Sequence, residues 1–265
     1  MTAPLVFITG ASGGIGQALA VRYAQAGWRL ALTARRTDKF QAWAQSIGLA
    51  SDRWAVYAAD IQDVDSIVAA GQRCIAEQGL PYVVIANAGI SVGMDTGERA
   101  DLDVMHETFA VNNVGVAATF HPFFAGMRAR RSGTLVGVAS VAAIRGLPGH
   151  AAYCASKAAV VAYCESLRGE CRDAGVRVVT LLPGYIATPL TAGNRYPMPF
   201  LMPADKFADR AFRAIEAGTS YCVIPWQMGL VAKLLRLLPN RLFDWLFAGR
   251  GRKQRRTPSD APGQK

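Results

Sequence analysis

Apolar residues cluster in seven short runs: LVFIT at 5–9, LALTA at 30–34, WAVYAA at 54–59, YVVIA at 82–86, TLVGVA at 134–139, VRVVTLL at 176–182 and YCVIP at 221–225. Six of the seven have the length and composition of strands buried on both faces of a parallel sheet. Between them the apolar positions recur at helical spacing, over 15–26, 64–78, 101–130 and 151–174. Strand and helix alternating this often predict an α/β chain with a doubly wound sheet. No Pro/Gly/Ser-rich linker precedes residue 249 and no solenoid period is visible, so residues 1–225 read as one domain. Beyond it lie an apolar, amphipathic extension over 226–248 and a polar, basic tail over 249–265 that reads as disordered.

Composition agrees with a globular chain: 265 residues, 51% hydrophobic and 18% charged. Cys74, Cys154, Cys164, Cys171 and Cys222 are odd in number and form no C-x-x-C pair, which suits reduced thiols in a cytoplasmic setting. The opening MTAPLVFITG lacks the basic n-region and long apolar core of a secretion signal, so no export is expected. The formal charge of +10 is local: residues 233–265 hold nine Lys or Arg against two Asp. With no groove-reading motif, nucleic acid is not expected as a partner.

The first predicted strand runs into Thr9-Gly10-Ala11-Ser12-Gly13-Gly14-Ile15-Gly16 and then a helix. Glycines there allow a tight turn and close backbone approach, and the helix N-terminus offers N–H groups and its dipole to a pyrophosphate. A plain flexible turn has the same composition; the flanking strand and helix favour the dinucleotide loop. The spacing T-G-x-x-x-G-x-G resembles that of the short-chain dehydrogenase/reductase family, in its main single-domain subfamily. The resemblance implies a Rossmann fold with a seven-stranded, mostly parallel sheet.

Tyr153 and Lys157 stand four residues apart, hence on one face of a helix. A nearby ammonium stabilises phenolate and lowers a pKa that is otherwise near ~10, giving a usable proton relay. Ser140 follows the fifth run, at the carboxyl end of a strand, where open α/β sheets bind ligands. The family resemblance supplies the same set, a Ser thirteen residues before the Tyr and a Lys four after. A strand-ending Ser and a packing Tyr are the plainer alternatives.

Further matches carry the resemblance across residues 5 to about 225. Asn87-Ala88-Gly89 is similar to the family's N-N-A-G, with Ala86 in place of the first Asn. Asn112 resembles the helix Asn that holds a relay water, with Asn113 as the neighbouring alternative. Pro183, Gly184, Ile186 and Thr188 resemble the stretch that touches the nicotinamide amide, and Asp60 with Ile61 the pair beside the adenine. Without the resemblance, Asn87, Asp60 and Pro183 read equally well as turn chemistry. With Gly10, Ser12, Gly14, Ile15 and Gly16, and with Tyr153 and Lys157, which by resemblance holds the nicotinamide ribose, these form the cofactor-binding set, which Arg35 and Arg36 join at the end of the second strand.

The cofactor follows from the second strand, which ends Ala34-Arg35-Arg36. NAD-preferring folds place an acid near Ala34, whereas guanidinium groups pair with a 2′-phosphate. NADP is therefore expected, with NAD the alternative, unless Arg35 and Arg36 only form a solvated loop. The implied reaction moves a hydride between nicotinamide and a substrate carbon, with Asn112, Ser140, Tyr153 and Lys157 as the catalytic set and Tyr153 as general acid/base. By resemblance 188–216 is the substrate lid, and its run PLTAGNRYPMPFLMP favours a small lipophilic ketone or secondary alcohol. Arg195 either meets an anionic head group or faces solvent. A 3-oxoacyl thioester reductase is the nearest alternative; a non-catalytic, membrane-associated NADP-binding scaffold is the alternative of another class. Family analogy implies a homodimer or homotetramer. The 226–248 stretch is too short in its uncharged part to span a bilayer, which takes about 20 residues. It reads either as an interfacial helix, with peripheral contact through 226–256 at the inner membrane surface, or as a helix buried against a partner subunit or the substrate pocket.

Overall fold

The computed structural model describes residues 3–194, 197–249 and 253–256. Arg195 and most of the basic tail lie outside these residues. All seven apolar runs are strands of one sheet: β1 (Leu5–Thr9), β2 (Arg29–Ala34), β3 (Trp54–Ala58), β4 (Val83–Ala86), β5 (Gly133–Val138), β6 (Val176–Pro183) and β9 (Tyr221–Ile224). A two-residue pair, β7 (Ile186–Ala187) with β8 (Met202–Pro203), stands apart. The sheet order is β3-β2-β1-β4-β5-β6-β9 and every pairing is parallel. The winding therefore reverses between β1 and β4, and a crevice opens outside their carboxyl ends.

Period-two alternation divides the strands between two cores. Leu5 and Phe7 of β1 face a cluster with α3 (Val64–Gln78), α5 (Gly115–Arg130) and α6 (Ala151–Glu170), through Ile67, Phe123 and Val160. Val6 and Ile8 face the other, with α1 (Gly14–Gln25), α2 (Phe40–Ser46) and α8 (Ala204–Glu216), through Leu19, Phe40 and Phe207. The helix over 64–78 starts where a cap residue dictates: the Asp63 carboxylate accepts from the N–H groups of Asp65 and Ser66.

Four expectations need correction. The helix read as continuous over 101–130 is α4 (Asp101–Phe109), a π-turn (Ala110–Val114) and α5. The segment over 188–216 expected as a lid is not a loose cover throughout. After the turn α7 (Pro189–Ala192), its second half is α8, whose Phe207, Ala211 and Ile215 are buried beside α1. A mobile cover cannot carry that much core. The extension is not one helix: α9 (Trp226–Leu237) and α10 (Asn240–Phe247) are separated at Leu238-Pro239, because proline disfavours helix in the residue before it. Finally, part of the tail is ordered: the Gly93 N–H donates to the Gln254 carbonyl at 3.0 Å, and Gly93 pairs with Arg255 in a parallel bridge.

Candidate active site

The β1–α1 turn is shaped by glycine. Gly10 and Gly14 have φ of +67° and +56°, a region L side chains avoid. A Cβ at Gly10 would sit 2.8 Å from the Ala88 Cα, and one at Gly16 would collide with the Gly10 carbonyl oxygen. α1 begins without a side-chain cap, so the N–H groups of its first turn remain open to an anion. The Thr9 hydroxyl accepts from the N–H groups of Asn87 (3.1 Å) and Ala88 (3.2 Å), while the Asn87 amide donates to the carbonyls of Thr9 (3.0 Å) and Gly10 (3.3 Å). Asn87 thereby ties the end of β4 to the glycine turn.

A cleft of about 650 Å³ opens above these strand ends. Gly10, Ser12, Gly14, Ile15, Arg35, Asp60, Ile61, Asn87, Ala88, Gly89, Ser140, Tyr153, Lys157, Pro183, Gly184, Ile186 and Thr188 all line it. Three sequence-selected residues do not. Gly16 is buried in α1, Arg36 is exposed outside the cleft wall, and Asn112 is fully buried behind it.

Ser140 follows β5, and Tyr153 and Lys157 share a face of α6. The Ser140 hydroxyl accepts from the Ala142 N–H at 3.2 Å and lies on the Tyr153 side of the cleft. Burial raises the Tyr153 pKa above its ordinary value, and the neighbouring Ser140 hydroxyl opposes that rise. The Lys157 ammonium lies 5.9 Å from the centroid of the phenol ring and donates to the Val138 carbonyl at 2.8 Å. Burial brings this amine down to about 8.

Asn112 sits in the π-turn. Its side-chain oxygen accepts from the Ile90 N–H (2.9 Å), and its amide donates to the Ile90 carbonyl (3.0 Å) and the Ser156 hydroxyl (2.9 Å). Both amide hydrogens are thus engaged, and the loop after β4 is held against α6. Gly89 keeps this corner open: a Cβ there would lie 3.2 Å from the Asn112 Oδ1 and 3.3 Å from the Lys157 Nζ. Asn113 points elsewhere and donates to the Ser156 carbonyl at 2.8 Å.

Among the cleft-wall residues that sequence reasoning did not select are Thr9, Glu107 and Arg256. Thr9 was visible in the T-G-x-x-x-G-x-G spacing. Arg256 had no local signal. It arrives from the tail and pairs with Glu107 at 2.7 Å, while Arg255 pairs with Asp101 at 2.6 Å and holds that carboxyl below its usual range. Lys253 donates to the Asn194 side chain at 2.8 Å, beside α7.

Fold and cleft together define a nucleotide-binding α/β oxidoreductase class, and comparison with known proteins gives the family. A model of the short chain dehydrogenase family matches residues 4–198. An uncharacterized oxidoreductase of Myxococcus xanthus is 36% identical over 237 residues, covering 89% of this chain and 93% of its own. A 3-ketoacyl-(acyl-carrier-protein) reductase of Brucella melitensis, solved with NADH, superposes with a TM-score of 0.73 at 28% identity over 83% of this chain and 94% of its own. An alcohol dehydrogenase of Thermococcus sibiricus, solved with 5-hydroxy-NADP, does so with 0.73 at 25% identity over 84% and 96%. The chain belongs to the short-chain dehydrogenase/reductase family and is an oxidoreductase of that family.

Proposed function

We propose that this protein transfers a hydride between NADP(H) and the carbonyl carbon of a small apolar ketone, or the matching secondary alcohol. The observation that carries the reading is the meeting of Ser140, Tyr153 and Lys157 on one wall of a cleft that also contains the glycine turn. The bare backbone at Gly10 and the uncapped first turn of α1 fit a pyrophosphate; Asp60 and Ile61 suit an adenine, and Pro183 to Thr188 a nicotinamide amide. When bound, the cofactor supplies or accepts the hydride.

The protein's share is to hold the substrate oxygen and move its proton. The hydroxyls of Ser140 and Tyr153 donate to the carbonyl oxygen, and Tyr153 gives up its proton as alkoxide charge develops. Burial keeps that phenol protonated until it is needed. The Asn112 oxygen and the Lys157 amine both lie close to Gly89, and we assign the return of protons to this side of the phenol. Preference for NADP rests on the end of β2, where Ala34 stands in the acid position and Arg35 lines the cleft. Exposed apolar residues of the lid segment, Leu190, Phe200 and Leu201, support an apolar substrate.

A second reading, reduction of a 3-oxoacyl thioester, is favoured by the Brucella relative. The test follows NADPH absorbance with ketones of increasing chain length and with an acetoacetyl thioester. Turnover of simple ketones supports the main reading, and turnover of the thioester alone selects the second. Tyr153→Phe is expected to bind NADPH within about twofold of wild type while losing at least ~10²-fold in turnover. NADPH binding with no turnover of any carbonyl by the wild type would make the protein a scaffold.

A further inference from the structure

The extension α9–α10 exposes more apolar surface than the catalytic body requires. On α9, Trp226, Leu230, Leu234 and Leu237 recur at i, i+4, i+8 and i+11 and form one outward stripe. Its opposite face is committed to the body: Gly229 packs on Val223 and Met228 on Gly184. On α10, Phe243 turns inward while Leu242 and Trp245 turn out. Trp226 is 66%, Leu237 80% and Trp245 74% exposed.

This is a built surface rather than a frayed end. The Arg145 guanidinium reaches from the loop between Ser140 and Tyr153 and donates to the carbonyls of Leu235 (2.6 Å), Arg236 (3.1 Å) and Leu238 (2.8 Å). It also bonds the Asn240 side chain at 3.1 Å and stacks 3.9 Å over the Phe243 ring. One residue thus holds the break between the two helices and the attitude of both stripes.

We infer that the outer faces of α9 and α10 dock on an anionic lipid bilayer. The argument for lipid is charge. Lys233 and Arg236 border the α9 stripe and Arg241 opens α10; all three are exposed, and none has a salt bridge among the described residues. Asp244 is the single acid in 226–247. A second copy docked face to face would set these cations against their own kind across a two-fold axis. An anionic bilayer answers all of them at once, while the leucines enter the acyl boundary and the tryptophans settle at head-group level. Because the inner face of α9 packs on Gly184, a cleft residue, and Arg145 belongs to the catalytic loop, the docked surface adjoins the reaction site. The substrate class this favours is one dissolved in the membrane, a refinement that rests on the apolar-substrate reading; lipid docking itself does not.

The test is flotation of the full chain with phosphatidylcholine vesicles, with and without phosphatidylglycerol. Wild type is expected to float with the anionic vesicles about tenfold more than with the neutral ones. L230E/L234E, altered only at exposed positions, abolishes flotation with unchanged circular dichroism and melting. K233E/R236E removes the dependence on phosphatidylglycerol. Sedimentation of wild type with both vesicles overturns the inference, as does equal flotation with both. Light scattering showing a dimer that L230E/L234E dissociates assigns the face to self-association and equally overturns it.

Discussion

At the scale of single residues, the two buried titratable groups on which the proposed chemistry rests are shifted in opposite senses. Tyr153 is held above its ordinary pKa, so it remains an acid through the neutral range. Carbonyl reduction is therefore expected to be flat in this range. Alcohol oxidation, which needs phenolate as base, is expected to rise about tenfold per pH unit; paired pH profiles of the two directions check this. Lys157 carries the opposite burden. Its pKa is about 8 in the folded chain against about 10.4 unfolded. Between those values the unfolded chain binds more protons, so this residue costs most stability below pH 8 and progressively less above it. Lys157→Met is expected to raise stability by about 1–2 kcal/mol at pH 7, with the advantage shrinking towards pH 10. Urea midpoints at the two pH values measure it, and turnover in the same variant is lost. Neither property was readable from the Y-x-x-x-K spacing, which predicts proximity but not how deeply the phenol and amine are buried.

At the scale of elements, the legible parts were those governed by local period. The alternation of Leu5 and Phe7 against Val6 and Ile8 specifies a strand covered on both faces, and that is what β1 became. The π-turn was illegible for a physical reason: one extra residue in a turn leaves the apolar pattern on either side intact, so 101–130 reads as unbroken. Yet that extra residue directs Asn112 to Ile90 and Ser156. The catalytic loop, by contrast, could be located from β5 and α6 alone. Cofactor choice is also an element-end property, since β2 delivers Ala34 and then Arg35 to the cleft. Arg35→Asp is expected to weaken NADPH by at least about tenfold and leave NADH nearly unchanged, as read by fluorescence titration of both.

At the scale of the whole molecule, contacts between remote segments decide what no window of sequence contains. Residues 253–256 cross from the Asn194 side chain, past Gly93, to Asp101 and Glu107, joining the segment after α7, the loop after β4 and α4 beside the cleft. Composition alone placed them in a disordered tail. Removing everything after Gly249 is expected to speed NADPH release several-fold while leaving the melting temperature within a few degrees, in stopped-flow and thermal-melt measurements. Gly93→Ala asks the same question with one methyl group, because a Cβ there would collide with the Lys253 carbonyl; matching release rates in the two variants would tie the effect to the seat of the strap. The practical corollary concerns anyone who purifies this enzyme. An affinity handle added after Lys265 stands only nine residues along the chain from Arg256, a side chain of the cleft wall, so constants measured with and without such a handle are expected to differ.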